Sequence, residues 1–257
     1  MNFVKTEIHD RIGYVILDRP EKRNALNSEF VNEIKQAIHL HESNKETRAI
    51  VLKSSGEAFC AGADLAYLQQ LQSFSFEENL EDSKNLAALF NLIYQNSKPV
   101  ISLVKGPALA GGCGLATICD MCYATPDSTF GYTESLIGFV PAIVLVFLRK
   151  KVGESLSKKM VFTGEVFHAD KALNYGLITE INEPDIIDDH VHQSLVRMAK
   201  KSSGNSLKAI KMLYNNLDNK DIHSAIQYAC RINAEVRESE DCKRGIAAFL
   251  NKEKITW

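Results

Sequence analysis

The chain has 257 residues, 45% hydrophobic and 24% charged, a balance that suits a globular protein with a substantial core. Its 30 Lys and Arg against 32 Asp and Glu leave a net charge of -2, which gives no bulk electrostatic case for nucleic acid or an anionic membrane. The opening MNFVKTEIHDRIG lacks the basic-then-apolar order of a secretion signal, and the longest apolar run, Phe139 to Leu148, has only the length of a buried helix; a cytoplasmic location is expected.

Residues 4–9 and 13–17 read as a hairpin around DRIG. The loop PEKRNALN follows, and over 28–42 Phe30, Ile34, Ala37 and Ile38 recur at helical spacing. AIVLK at 49–53 is a buried strand, residues 64–71 begin a helix, and 76–95 form another with Leu80, Leu86, Leu89 and Ile93 on its apolar side. PVISLV at 99–104 is the next strand, and it leads into a glycine-rich turn, PALAGGCGLATICD, at 107–120. TICDMCYAT reads as a strand, and Pro141 opens an apolar helix as a first-turn proline does. From Glu154 the pattern is almost wholly helical, broken by a short strand at 177–181. A layered α/β core over 1–190 and a helical region over 191–257 are expected, the latter with stripes such as Ile222, Ile226 and Ala229 to cover on a neighbouring subunit.

Six cysteines in a chain of this size are no disulfide framework. Cys119 and Cys122 form a CxxC, but on a strand they point to opposite faces, and no second pair or nearby His completes a zinc tetrad. His190 and His192 do not share a helix face. No metal site is expected.

The turn at 107–120, followed by FGYTE at 130–134, has the layout of a site. Gly111 sits where a helix begins, so its N–H is unpaired and carries the positive end of the helix dipole, suited to a developing oxyanion. A second Gly turn, FCAGADL at 59–65, offers another N–H. Glu134, with Leu136, Ile137, Phe139, Val140 and Ile143 around it in sequence, is a candidate proton carrier whose pKa an apolar pocket would raise. Plainer readings exist for each: a glycine turn for close packing, and a helix N-terminal acid stabilised by the dipole. Tyr132 is a secondary donor or an ordinary strand aromatic.

Several segments resemble the crotonase (enoyl-CoA hydratase/isomerase) superfamily: RPEKRNALN at 19–27, FCAGADL at 59–65, LAGGCGLATICD, FGYTESLIGFVPA at 130–142, FTGEVFHADKALNYGLI at 162–178 and the terminal GIAAFLNKEK. They occur in the family's order and span nearly the whole chain. The resemblance implies a crotonase-like spiral of ββα units with a helical C-terminal region, assembled as a homotrimer or homohexamer. It also implies an acyl-CoA thioester substrate, with coenzyme A as part of that substrate and no separate cofactor. By position, Ala63 and Gly111 match the two oxyanion donors and Glu134 the acid/base. Lys22, Asn24, Ala25 and Leu26 match the adenine and phosphate side of the CoA site, Asp64 the pantetheine loop, and Phe249 and Lys252 residues that reach a neighbouring subunit's CoA.

The chain departs from the family at Gly114. Hydratases of the family commonly carry a glutamate there, in C-E-L-A, and a second one twenty residues on; here the pair is Gly114 and Glu134. Three readings follow. The first is hydration of a 2-enoyl-CoA with one glutamate, a carboxylate on the substrate being one way to manage with it, since C-G-L-A with TESLIGFVPAIV is similar to a bacterial subgroup associated with 3-methylglutaconyl-CoA hydratase. The second is a double-bond isomerase, for which one base suffices. The third is a non-catalytic acyl-CoA binder, with decarboxylation and thioester hydrolysis more remote. Restoring the acid at Gly114 is expected to raise hydration only if the space beside it is open. No cation is conspicuous beside Glu134 to receive a substrate carboxylate; Arg149 and Lys150 are the nearest in sequence.

Overall fold

The computed structural model describes residues 1–218 and 220–257. Strands β1 (Val4–His9) and β2 (Ile12–Leu17) pair antiparallel across a two-residue turn in which Asp10 and Arg11 both adopt positive φ, the backbone that matches strand twist in tight hairpins. Then come α1 (Ser28–Ser43), β3 (Ala49–Ser54), α2 (Leu65–Leu71), α3 (Phe76–Gln95), β4 (Val100–Val104), β5 (Pro107–Leu109), α4 (Gly111–Thr117), β6 (Met121–Ala124) and β7 (Thr129–Gly131). The rest is α5 (Ala142–Val152), α6 (Glu154–Thr163), β8 (Val166–His168), α7 (Ala169–Asn174), β9 (Glu180–Ile181), α8 (Ile187–Lys201), α9 (Gly204–Leu217), α10 (Ile222–Glu238) and α11 (Glu240–Leu250). Local chemistry sets the helix starts. Asn27 caps α1 by accepting the Phe30 N–H at 2.9 Å, and Ser75 with Glu78 forms a reciprocal capping box on α3.

The strands form a six-stranded sheet, β1-β2-β3-β4-β6-β9, parallel from β2 onward, and a three-stranded sheet, β5-β7-β8. All six residues of β2 are buried, because the large sheet is covered on both faces. One core joins α1, α3 and α4 to one face; a second packs Ile187, Val191 and Leu195 of α8 against Tyr14, Val51 and Leu103 on the other. The expected boundary at residues 190 and 191 therefore falls inside a helix that packs on the sheet. The architecture is the expected mixed α/β fold with a helical C-terminal region.

Helix α9 is fastened to the core by Lys211, whose buried ammonium donates to the carbonyls of Ile93 and Lys98 and pairs with Asp120 at 2.7 Å. The strand expected at TICD is a correction. Residues through Thr117 belong to α4, and Cys119 lies in the turn before β6. The strand expected over 177–181 shortens to Glu180–Ile181, since Gly176 at φ 70° turns the chain and the Leu177 N–H returns to Ala172. No helix among the described residues is long and apolar enough to cross a membrane. Because β2, β3, β4 and β6 run parallel, the loops after β3 and β4 leave from one edge of the sheet, where open α/β sheets place their sites.

Candidate active site

The two proposed donors come from those two loops, and backbone hydrogen bonds join the loops. The Cys60 N–H donates to Pro107 at 3.2 Å, and the Leu109 N–H donates back to Cys60 at 2.9 Å. The fit between them is close: a Cβ at Gly112 would lie 2.2 Å from the Cys60 carbonyl oxygen, and one at Gly62 only 3.0 Å from Ala110 Cβ. Among the described residues neither the Ala63 nor the Gly111 N–H has an intramolecular acceptor. Gly111 opens α4 directly after Ala110, which holds φ 49° and ψ -126° with its own N–H on Gly131 at 2.7 Å. A non-glycine residue costs about 1–3 kcal/mol in such a backbone region. Here the conformation turns the chain from β5 into the helix that presents the Gly111 N–H.

Ala63 is held on both sides. The Leu26 N–H donates to Gly62 at 2.7 Å and the Asp64 N–H to Leu26 at 2.8 Å, so Leu26 and Ala63 form a one-residue bridge between the first loop and the second. Asp64 caps α2 through the Ala66 N–H and pairs with Arg19 at 2.7 Å, both side chains nearly buried. Burial alone would raise the Asp64 pKa, but the Arg19 and Ala66 hydrogen bonds outweigh it and hold the carboxyl below its usual range. Arg19 also donates to the Ala25 carbonyl at 2.9 Å. It stands in RPEKRNALN, yet nothing in its spacing marks it as the partner of a carboxylate forty-five residues away.

Glu134 is the first residue of a short 3-10 helix, Glu134–Ile137, that follows β7. It is 8% exposed, and its Oε2 is buried without a hydrogen-bond partner. Burial raises its pKa above the ordinary carboxylate range, against a smaller lowering from its own backbone. Glu134 follows β7, which pairs with β5 and accepts the Ala110 N–H on Gly131, so the acid leaves the strand that flanks the glycine turn. Tyr132, wholly buried, shares a 2.9 Å hydrogen bond with Thr117 and so faces α4. Burial pushes the Cys60 and Cys113 thiols up to about 12, leaving no thiolate nucleophile there near neutral pH.

The other sequence-predicted residues fall into two groups. Ala25 and Leu26 are buried in the loop next to Ala63, and Leu26 Cδ1 lies 3.5 Å from where a Gly111 Cβ would stand. Asn24 is fully buried at φ 52°; its amide accepts the Arg19 N–H at 2.8 Å and donates to Ala58 at 2.9 Å, so the side chain shapes the loop from inside and does not itself present a group to CoA. Lys22 is exposed on the turn Pro20–Lys22. Phe249 and Lys252 are exposed at the end of α11, and no side-chain hydrogen bond or ion pair among the described residues joins them to the site. Lys150 pairs with Asp218 at 2.7 Å and is thereby held toward the C-terminal helices.

The space beside Gly114 is full. A Cβ there would lie 2.2 Å from Val144 Cγ1 and 3.0 Å from the Phe90 ring, both side chains buried. Hydrocarbon from α5 and α3 thus occupies the volume that a second acid would need.

Residues 7–257 match the family model for enoyl-CoA hydratase/isomerase. A protein of Thermus thermophilus is 38% identical over 241 residues, 94% of this chain and 95% of its own length. The short-chain-enoyl-CoA hydratase of Clostridium acetobutylicum is 30% identical, with 99% and 97% covered. The crystal structure of an enoyl-CoA hydratase from Shewanella pealeana superposes with a TM-score of 0.94 at 27% identity, covering 99% of this chain and 96% of that one.

Proposed function

Since the chain belongs to the enoyl-CoA hydratase/isomerase (crotonase) family, we propose that it adds water to, or removes it from, a 2-enoyl-CoA thioester, with Glu134 as the only acid/base. Two observations support this reading: the N–H groups of Ala63 and Gly111, on loops joined by hydrogen bonds, have no acceptor among the described residues, and Glu134, just after the strand paired with β5, has a buried carboxyl oxygen without a partner. In the hydration direction the carboxylate takes a proton from water as the water oxygen bonds to the β-carbon. The thioester carbonyl becomes an enolate whose oxygen accepts both N–H groups, and Glu134 returns the proton to the α-carbon on the same face. Each donor of such a pair is worth about 10²–10³ in rate, and the proton carrier about 10²–10⁴. The fixed loop geometry costs no reorganisation as the charge develops.

Coenzyme A enters as part of the substrate, and the first loop, with Lys22, Ala25 and Leu26, together with Asp64 of the second, is the wall it meets. A branched 2-enoyl-CoA, 3-methylglutaconyl-CoA in particular, is the more specific substrate we propose. The exposed apolar residues Leu136, Ile137, Phe139, Val140 and Phe162 fit a homotrimer or hexamer that covers them. A second reading, double-bond isomerisation, is favoured by the filled space at Gly114, because moving a proton from one carbon to another needs one base and no activated water.

One assay separates the two. Following enoyl-thioester absorbance, hydration consumes the signal of crotonyl-CoA or 3-methylglutaconyl-CoA, whereas isomerisation creates it from a 3-enoyl-CoA. Either change must disappear in Glu134→Gln. Activity that survives that substitution removes Glu134 from the mechanism, and no change with any thioester removes the enzymatic reading.

A further inference from the structure

At the opposite end of the large sheet, where β3 and β4 begin, a cavity of about 180 Å³ opens. Thr47 and Arg48 lead into β3, Lys98 and Pro99 into β4, and the start of α9 closes the third side. A six-residue strand covers about 20 Å, so this cleft and the Ala63–Gly111 pair stand a strand-length apart.

Four cations line it: Lys45, Arg48, Lys98 and Lys208. Among the described residues none of them joins an ion pair, in a chain whose net charge is -2. Arg48 donates to the Ser202 carbonyl at 2.9 Å, and Lys98 to the carbonyls of His41 and Asn44. Two carboxylates stand at its wall: Glu42 accepts the N–H of the lining Ser97 at 2.9 Å, and Asp241 accepts the hydroxyl of Ser203, beside the lining Gly204, at 2.6 Å, which leaves the four cations in excess. Burial, with Arg11 behind it, pushes the Arg48 pKa below its usual range, against a smaller raising by Asp241.

Two further features ask for an acceptor. Gly204, the first residue of the fourteen-residue α9, lies against the guanidinium: a Cβ there would be 3.0 Å from Arg48 Cζ. Ser203 caps only the Ser206 N–H, leaving those of Gly204 and Asn205 without an acceptor among the described residues. Thr47, which lines the cleft, is 1% exposed, and its hydroxyl has no hydrogen-bond partner. A tetrahedral oxyanion would supply acceptors to the guanidinium, the helix start and the hydroxyl together.

We propose that this cleft binds phosphate, either the free ion or the end group of a phosphomonoester, independently of the acyl-thioester site. The test titrates the full chain with sodium phosphate against sodium chloride at equal ionic strength, reading Tm and, by calorimetry, Kd. A saturable rise in Tm of about 2 °C or more, specific to phosphate, is expected. The double variant Lys45→Gln/Lys208→Gln changes two exposed side chains and should weaken Kd at least about tenfold. Thr47→Val keeps the shape of the side chain, should fold as well as the parent, and should also bind phosphate more weakly. Glycerol 3-phosphate in place of phosphate tells an ester from the free ion. No phosphate-specific shift, an unchanged Kd in both variants, or displacement of phosphate by saturating 3′-dephospho-coenzyme A, which carries no phosphomonoester, would each overturn the proposal.

Discussion

The two halves of the proposed active site are built in opposite ways. The donor half is held from several sides: Ala63 lies between two hydrogen bonds to Leu26, its neighbour Asp64 is locked to Arg19, and Gly111 follows a strained Ala110 anchored on Gly131. The acid half is left open at the atom that matters, since Glu134 Oε2 is buried with nothing to bond. Backbone dipoles stabilise a charge only as well as they are aimed, so rigidity serves them. A proton carrier needs basicity and a free lone pair, and a hydrogen bond to the carboxylate would lower the first and occupy the second.

The most damaging way to break this asymmetry is Glu134→Gln, which should lower turnover by about 10²–10⁴ while leaving the thioester KM nearly unchanged. The same variant should gain stability at neutral pH. Because the folded-state pKa is raised, the carboxyl favours the fold while protonated, and that contribution is lost as pH rises through the folded pKa. The Tm difference between parent and variant should therefore shrink as pH falls below the carboxylate range. A constant difference across pH contradicts a raised pKa.

Next comes Arg19→Gln, which leaves Asp64 buried without its cation, a change that costs about 3–5 kcal/mol when a buried pair is broken. If Arg19 also aims Ala63, kcat should fall more than KM rises, and Arg19→Lys should recover part of both. Equal loss in folded fraction and activity, with unchanged kcat per folded molecule, would make the pair purely structural. Gly114→Glu should cost about 1–3 kcal/mol by overpacking against Val144 and Phe90, without raising hydration. Only with Val144→Ala beside it should room for an acid appear. A gain in the single variant would show that the wall yields. The smallest effect is expected from Ala110→Gly, which removes the left-handed strain: stability should rise by about 1 kcal/mol or less, read as urea midpoint, unless the freedom gained by the unfolded chain offsets it.

Long amphipathic elements were legible in the sequence because their periodicity comes from burying one face. The helix over 76–95 agrees with the structure end to end, and the strand and helix around residues 49 and 28 differ by one residue at most. The three-residue strands β5, β7 and β8 carry too few residues to show a period, so the second sheet was invisible. The family motifs pointed to Ala63, Gly111 and Glu134. They could not show that Asn24 turns its amide inward, that Arg19 reaches Asp64, or that Val144 fills the place beside Gly114. Those are contacts between segments far apart in the chain, and no local pattern records them.

The Cys60–Pro107–Leu109 zipper has a kinetic consequence. It joins loops about fifty residues apart in the chain, so the proposed oxyanion hole is a non-local structure that cannot assemble before β3 and β4 have found their register. A folding intermediate with formed helices but unpaired central strands would hold every residue proposed to act in catalysis and have no activity. Recovery of turnover after dilution from denaturant should then lag behind recovery of helical circular dichroism and coincide with sheet closure, making the enzyme's own rate a reporter of its last folding step.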